Sequence, residues 1–453
     1  MRHGFAAVFY AEMLAIIRRI RKETFMGRNV AAAVTVTLLF IALHLSPSFA
    51  QQAPLKFPQK TEPAKTMTAP QPAGKAQSSP AKPVRMDSSA VSLVGTVDLK
   101  TENPIKLPTS VTTAVLDNGY VVRTWESLDP GDRMIGTAAL FTESLQPASA
   151  VVPYTDRWKD DIIAYNTALP FTNGNTLLAY IDRRDQKGKF VLYNSQMKII
   201  KGPVVFSPKN AHRFSAVRLP GGMSTLIAFY EPERPASDAL WDHMAGHCLF
   251  VVVNAEGAIV STPWAFTRKG HVKQLAATLL PGGLIFAAYE FNGAVSSVID
   301  QTGNILRQEK KFYSGNFSAL SAVTLADGNV MVIFLDDRGL PRATVIDYAG
   351  NIVSTQNLPV DSVMNLYPAR LSNGNVMVVM APNNGLTAVI LNPAGNIVKG
   401  PTTFFGEYNF GEYNHYRSRI SVTAFRNEMA LVLYSGNQPK SGGKSKIGYS
   451  LLK

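Results

Sequence analysis

Residues 319–354 read ALSAVTLADGNVMVIFLDDRGLPRATVIDYAGNIVS, and two tight turns inside this stretch decide the fold. Residues 319–325 are an apolar run of mostly small side chains. Asp327-Gly328 follows, then the apolar run 330–335. After Asp336-Asp337-Arg338-Gly339 comes the run 343–347, and Tyr348-Ala349-Gly350-Asn351 leads into residues 352–354. Asp-Gly and Asn-Gly between apolar runs signal hairpins, because the favoured two-residue turn needs positive φ at both central positions. The stretch therefore predicts four short strands joined as two hairpins.

The first of these turns recurs along the chain at Asp117-Asn118-Gly119, Asn173-Gly174, Pro220-Gly221-Gly222, Pro281-Gly282-Gly283, Asp327-Gly328 and Asn373-Gly374, with a degenerate seventh copy at Asn427-Glu428. The second recurs at Glu256-Gly257, Gly303-Asn304 and Gly395-Asn396. Self-similarity at a spacing of 45–61 residues marks a repeat architecture. Seven four-stranded units around an axis make a β-propeller, and the small residues of each first strand suit its crowded centre. The expected class is all-β: a seven-bladed β-propeller of four-stranded antiparallel blades. The last unit shows only three strands, at residues 420–425, 429–434 and 447–452, while residues 90–99 form an orphan strand ahead of the first unit. That strand is expected to complete the last blade and close the ring, since an open ring leaves an unpaired edge. An open β-solenoid or a pair of sandwiches is the competing layout.

The Leu-x-Asp/Asn-Gly-Asn turn and the second Gly-Asn turn resemble those of bacterial secreted β-propeller repeat proteins. The resemblance covers roughly residues 110–450, stays at the level of the repeat and carries no catalytic residues. WD dipeptides at matching blade positions, a kelch pattern of glycine pairs, a sialidase Ser-x-Asp-x-Gly-x-x-Trp box and an Asp-x-Asp-x-Asp-Gly calcium loop are not found in the sequence.

Outside the repeats the composition shifts. Residues 30–45 are apolar, follow Arg18, Arg19, Arg21, Lys22 and Arg28, and precede Ser48 and Ala50, the small-x-small pattern of a signal-peptidase site. Residues 1–50 are expected to be a secretory signal cut after Ala50, with Met26 as an alternative start; an uncleaved signal anchor is the competing reading. Residues 51–90 are rich in Pro, Lys, Ala, Gln and Ser and are expected to be a disordered tether. The propeller is assigned to residues 91–453. A single cysteine, Cys248, excludes an internal disulfide and lies in an apolar strand, where it is expected to be a buried, inert thiol. The location expected is the periplasm or surface of a bacterium.

The net charge of +13 does not argue for nucleic acid. Residues 1–50 carry six basic and two acidic groups and residues 51–90 another six and two, which leaves about +5 for the repeats.

The hairpin turns are uniformly short, whereas connections between second and third strands, and between units, vary in length. Those two classes emerge on one face of a propeller, which makes that face the expected binding surface. Aromatic, basic and amide residues recur there just before the innermost strands. Arg157, Trp158, His212, Arg213, His271, Lys273, Tyr367, Arg370, Tyr416, Arg417 and Arg419 are the candidate ligand-binding residues, a set suited to a sugar, a peptide or carboxylates. His243 and His247 have a spacing usable by zinc on a helical turn, without an evident third ligand, so no metal and no cofactor are assigned. Asp160, Asp161, Asp182, Asp185, Glu290, Asp336 and Asp337 are available carboxylates, but loose acids occur on any propeller and a glycosidase needs a close pair. Nucleophile elbows, phosphate loops and dinucleotide fingerprints are missing from the sequence. The favoured reading is a monomeric, non-enzymatic protein that binds a protein or envelope glycan and reaches a membrane only through an uncleaved signal or tether. A polysaccharide hydrolase or lyase with its site at the channel mouth is the alternative.

Overall fold

The computed structural model describes residues 91, 93–99, 111–128, 133–156, 163–232, 245–267, 270, 272, 274–382, 385–405, 420–425, 427–437 and 445–453. The signal and tether assigned to residues 1–90 lie outside them.

The described residues form seven four-stranded antiparallel sheets. Blade one holds β2 (Val111–Val115), β3 (Val121–Leu128), β4 (Met134–Phe141) and β5 (Val152–Pro153). Blade two holds β6 (Ile163–Pro170), β7 (Thr176–Asp182), β8 (Lys187–Tyr193) and β9 (Ile199–Val205). Blade three holds β10 (Arg213–Arg218), β11 (Ser224–Pro232), β12 (Gly246–Asn254) and β13 (Trp264–Ala265). Blade four holds β14 (Leu275–Leu279), β15 (Ile285–Glu290), β16 (Ala294–Ile299) and β17 (Ile305–Tyr313). Blade five holds β18 (Ser318–Thr324), β19 (Val330–Leu335), β20 (Pro341–Ile346) and β21 (Ile352–Asn357). Blade six holds β22 (Val363–Arg370), β23 (Val376–Pro382), β24 (Leu386–Leu391) and β25 (Ile397–Phe405). Blade seven runs β26 (Ile420–Ala424), β27 (Ala430–Asn437) and β28 (Ser445–Leu452), and its outer place is taken by β1 (Leu93–Leu99), antiparallel to β28 with Thr96 opposite Ser450. The first strands touch in cyclic order, β2 to β6 and onward to β26, which touches β2 again. This is a seven-bladed β-propeller.

Whereas β3 of blade one buries Arg123, Thr124 and Glu126 among its apolar residues, in blades two to seven the second strand is dominated by an apolar run because both its faces are buried. Strand alternation divides its side chains between two seams. Along β23, Met377, Val379 and Ala381 pack against Ala430, Val432 and Tyr434 of blade seven, while Val376, Val378 and Met380 pack against Met331, Ile333 and Val345 of blade five. Along β27, Leu431 and Leu433 face the other way, onto Val111, Val121 and Phe141 of blade one. Each of the seven hydrophobic clusters fills one seam between neighbouring blades. Burying such a side chain contributes about 1.5–3 kcal/mol, so the ring is held by its seams. Cys248 is fully buried in the seam between blades three and four, where desolvation pushes its thiol pKa up.

Polar contacts clamp the outer rim. In blade four, Lys310 Nζ donates to Asn351 Oδ1 (2.6 Å) in the turn before β21, and Ser354 Oγ of β21 donates to Ala394 O (2.7 Å) in the corresponding turn of blade six. Gly350 needs to be glycine twice over: its φ is +81°, and a Cβ there would run into Arg307 and Lys310.

Candidate functional site: the axial cavity

Each first strand sits at the edge of its sheet, hydrogen-bonded to one neighbour, so alternate peptide groups along its open edge face the axis. The hairpin registers bring the seven strands into layers. The closing pairs are Val115/Val121, Pro170/Thr176, Arg218/Thr225, Leu279/Ile285, Thr324/Val330, Arg370/Val376 and Ala424/Ala430. Three residues before each closing position lie Thr112, Thr167, Ser215, Ala276, Ser321, Tyr367 and Ser421, each opposite the fourth residue of its partner run. Six of these seven carry a hydroxyl, and all seven line an axial cavity of about 390 Å³. The lining comes from the starts and middles of the first strands, so the cavity occupies the half of the channel nearer the variable connections. Its described lining residues include no charged side chain; they are hydroxyl, amide, aliphatic and aromatic, with Phe214 and Tyr367 the two rings.

The hydroxyl layer is not uniform. Ser215 Oγ accepts a hydrogen bond from Ala277 N (3.0 Å) in the next blade, and Ser421 Oγ accepts one from Thr113 N (3.0 Å) across the seam that closes the ring. Edge N–H groups of one strand are thus satisfied by hydroxyls of the preceding blade. Lower in the channel the direction is reversed: Thr324 Oγ1 donates to Leu279 O (2.6 Å) of the preceding blade. Pro368 stands one position beyond Tyr367, where the equivalent of Ala277 would present its N–H to Ser321 across the seam; proline has no donor to give.

The two ends of the channel differ. At the constant end, the Arg218 guanidinium forks onto Asp117 (3.0 and 2.9 Å), joining blades three and one across the turn of blade two. The hydrogen bond from Arg218 holds the Asp117 carboxyl below its usual range. Arg370 closes β22 at this same end and donates to Thr324 O (3.3 Å). The sequence placed it before its strand, on the variable face; β22 already starts at Val363, eight residues long, and carries Arg370 to the opposite end of the channel. Tyr367 is likewise inside β22, and there it joins the cavity wall.

At the variable end, His212 is buried immediately before β10, and Arg213 opens that strand with its guanidinium 5.2 Å from the Tyr165 ring centroid. Arg157, Trp158, His271, Lys273, Tyr416, Arg417 and Arg419 lie outside the described residues, as do Asp160, Asp161 and His243. His247 stands in β12 opposite Glu231, in extended backbone rather than a helical turn. Among the described residues no group of three His, Cys, Asp or Glu side chains is placed to hold a metal ion.

The carboxylates at this end build turns. Asp336 accepts hydrogen bonds from Arg338 N (3.0 Å), Leu340 N (3.0 Å) and Arg342 Nε (2.9 Å). Asp182 does the same work in blade two, taking Arg184 N (3.0 Å), Arg184 Nη2 (2.6 Å) and Lys189 Nζ (2.8 Å). Burial alone would raise both carboxyls, but these donors outweigh it and hold both below the usual value. Asp185 pairs with Lys189 (2.7 Å), and Asp337 accepts from the Tyr313 hydroxyl (3.0 Å).

No family model matches the chain, and no curated protein does. Solved structures do. The chain is similar to the BP39L lectin from Burkholderia pseudomallei, at a TM-score of 0.53 and 11% identity over 81% of this chain and 96% of that one. It is also similar to the polysaccharide lyase Uly1, at a TM-score of 0.50 and 10% identity over 80% and 99%. At such identities the likeness is one of fold.

The hydroxyl layer was missed by reading the sequence, although its signal is present. A hydroxyl or its alanine substitute stands four residues before the apolar residue that opens each tight turn: Thr112 before Leu116, Thr167 before Phe171, Ser215 before Leu219, Ser321 before Leu325.

Proposed function

We propose that the chain is an exported, non-enzymatic propeller that binds an envelope glycan at the variable-connection end of its axial channel. The observation that carries this reading is the cavity itself: open peptide edges and hydroxyls from a seven-strand ring, two aromatic rings, and no carboxylate among the described lining residues. Hydroxyl and peptide groups suit sugar hydroxyls, and rings suit sugar faces. Hydrolysis would require a carboxylate pair facing the ligand. Of the buried carboxylates among the described residues, Asp182 and Asp336 are engaged by backbone and cationic donors, Glu126 accepts from Ile163 N and Glu231 from Lys209 N, and none of the four lines the cavity. In this reading residues 1–50 direct export and residues 51–90 space the ring from the membrane or wall.

Affinity electrophoresis of the full chain through neutral and acidic polysaccharides tests the reading, with reducing-end and unsaturated-product assays on the same mixtures. Retention without cleavage is expected. Cleavage would replace it with the hydrolase or lyase reading, and retention by an envelope protein alone would move the site to a protein partner. N-terminal sequencing of exported protein should give Gln51.

A further inference from the structure

We infer that the axial cavity is a subsite for a neutral, polyhydroxylated group, the terminus of a sugar chain, held by the hydroxyls of Thr112, Thr167 and Ser321. The inference rests on the glycan-binding reading and adds the ligand's charge class and the residues that meet it.

One layer of the channel carries hydroxyls in six of seven blades. Those of Ser215 and Ser421 are used to join blades. Those of Thr112, Thr167 and Ser321 make no hydrogen bond to any described residue, although they line the cavity and Thr112 is only 7% exposed. Thr167 and Ser321 are half-buried, and all three hydroxyls are open to the cavity rather than sealed in its wall. Pro368 removes the N–H that Ser321 would otherwise meet, so that hydroxyl is freed by the sequence itself. The registers that turn Ala277 N and Thr113 N toward the preceding blade do the same for the N–H groups of Ala168 and Ala216, which adds donors beside the threonines.

The three hydroxyl residues line one cavity from blades one, two and five. A sugar hydroxyl donates and accepts at once, as the threonine and serine hydroxyls do. An anion would enter a wall whose described side chains offer no counter-charge, at the cost of burying an unpaired charge. At about 390 Å³ the cavity falls in the lower part of the range of small-molecule sites.

Calorimetry on the full chain with glucose, galactose, mannose, N-acetylglucosamine and glucuronate tests this. At least one neutral sugar should bind, and glucuronate should bind about tenfold or more weakly than glucose, as an unpaired buried charge requires. Thr112→Val and Ser321→Ala should each weaken the neutral sugar about three- to tenfold, the worth of one hydrogen bond. Thr324→Val, which removes a seam hydroxyl outside the cavity, should lower the thermal midpoint and leave affinity within about twofold, the independence expected of separate sites. If Thr112→Val does not fold, Ser321→Ala carries the test. Wild-type affinity in the folded cavity variants overturns the inference while leaving glycan binding intact. Retention of polysaccharide with no neutral sugar bound also overturns it, and loss of retention as well sinks the glycan-binding reading with it.

Discussion

Replacing Asp336 with asparagine separates a turn-building carboxylate from a catalytic one. The side chain has no solvent exposure and holds four donors, two backbone N–H groups on Oδ1 and two guanidinium nitrogens, Arg342 Nε and the more distant Arg338 Nη2 (3.4 Å), on Oδ2. Asparagine keeps its shape. Its oxygen can still accept from Arg338 N and Leu340 N, both of which bind Oδ1. Its amide nitrogen then replaces Oδ2 against Arg342 Nε, which sits 2.9 Å away, and donor meets donor. The variant loses the short charge-assisted hydrogen bond from Arg342, worth about 1.5–3 kcal/mol, and the long one from the exposed Arg338, which adds little. Arg342 is 24% exposed and can turn to water, so the cost should fall near the lower end, about 2 kcal/mol. Asp336→Ala strands the two N–H groups as well and should cost about 1–3 kcal/mol more.

Urea unfolding at neutral pH measures both. Acid supplies the second arm. The Asp336 carboxyl is held below its ordinary value of 3.8, so its stabilisation is present above that pH and is lost as pH falls through the folded value. Asparagine does not titrate, so the gap between the wild type and Asp336→Asn should close below about pH 4. Glycan retention should survive in the folded variant. A variant as stable as wild type, a gap undiminished in acid, or retention lost without loss of stability would refute the structural reading of this residue.

Phe334 is 1% exposed and its ring meets those of Phe312, Tyr313 and Phe317 at 5.0–6.0 Å, so Phe334→Ala should cost about 3–5 kcal/mol in urea unfolding. The Cys248 thiol, buried and pushed up in pKa, should resist iodoacetamide in the native protein and react once unfolded, as followed by mass spectrometry. Deleting residues 91–99 leaves the edge of β28 unpaired, and gel filtration should then show more concentration-dependent association than the full chain gives.

The architecture was legible because its signals are local. Asn-Gly and Asp-Gly turns fix hairpin positions, and a spacing of 45–61 residues fixes the number of units. The partnership of β1 with β28 followed from counting strands, since a three-strand unit and an orphan strand at opposite ends leave one economical solution. The site was less legible. Arg370 was assigned to the wrong end of the channel because apolar runs do not reveal where an eight-residue strand begins. Asp182 and Asp336 looked like free acids because their partners depend on how the following turn folds back. The hydroxyl layer needs registers from seven separate hairpins before its members fall into line.

That layer also shows how a repeat acquires a directional interior. A serine with an N–H across the seam becomes a clamp, as at Ser215 and Ser421. A serine facing Pro368, or a threonine whose hydroxyl does not reach its neighbour, keeps its donor and acceptor for whatever fills the channel. Alanine at 276 and tyrosine at 367 break the ring further, removing one hydroxyl and projecting another on an aromatic plate. Seven near-identical units would make a symmetric pore, in which a ligand has seven equivalent poses. Single-residue differences at one register position remove that degeneracy without touching the hairpins that hold the blade together. Variation at this layer therefore changes what the cavity presents at little cost to the fold, and it is where differences in ligand choice among chains of this architecture should be sought, alongside the variable connections.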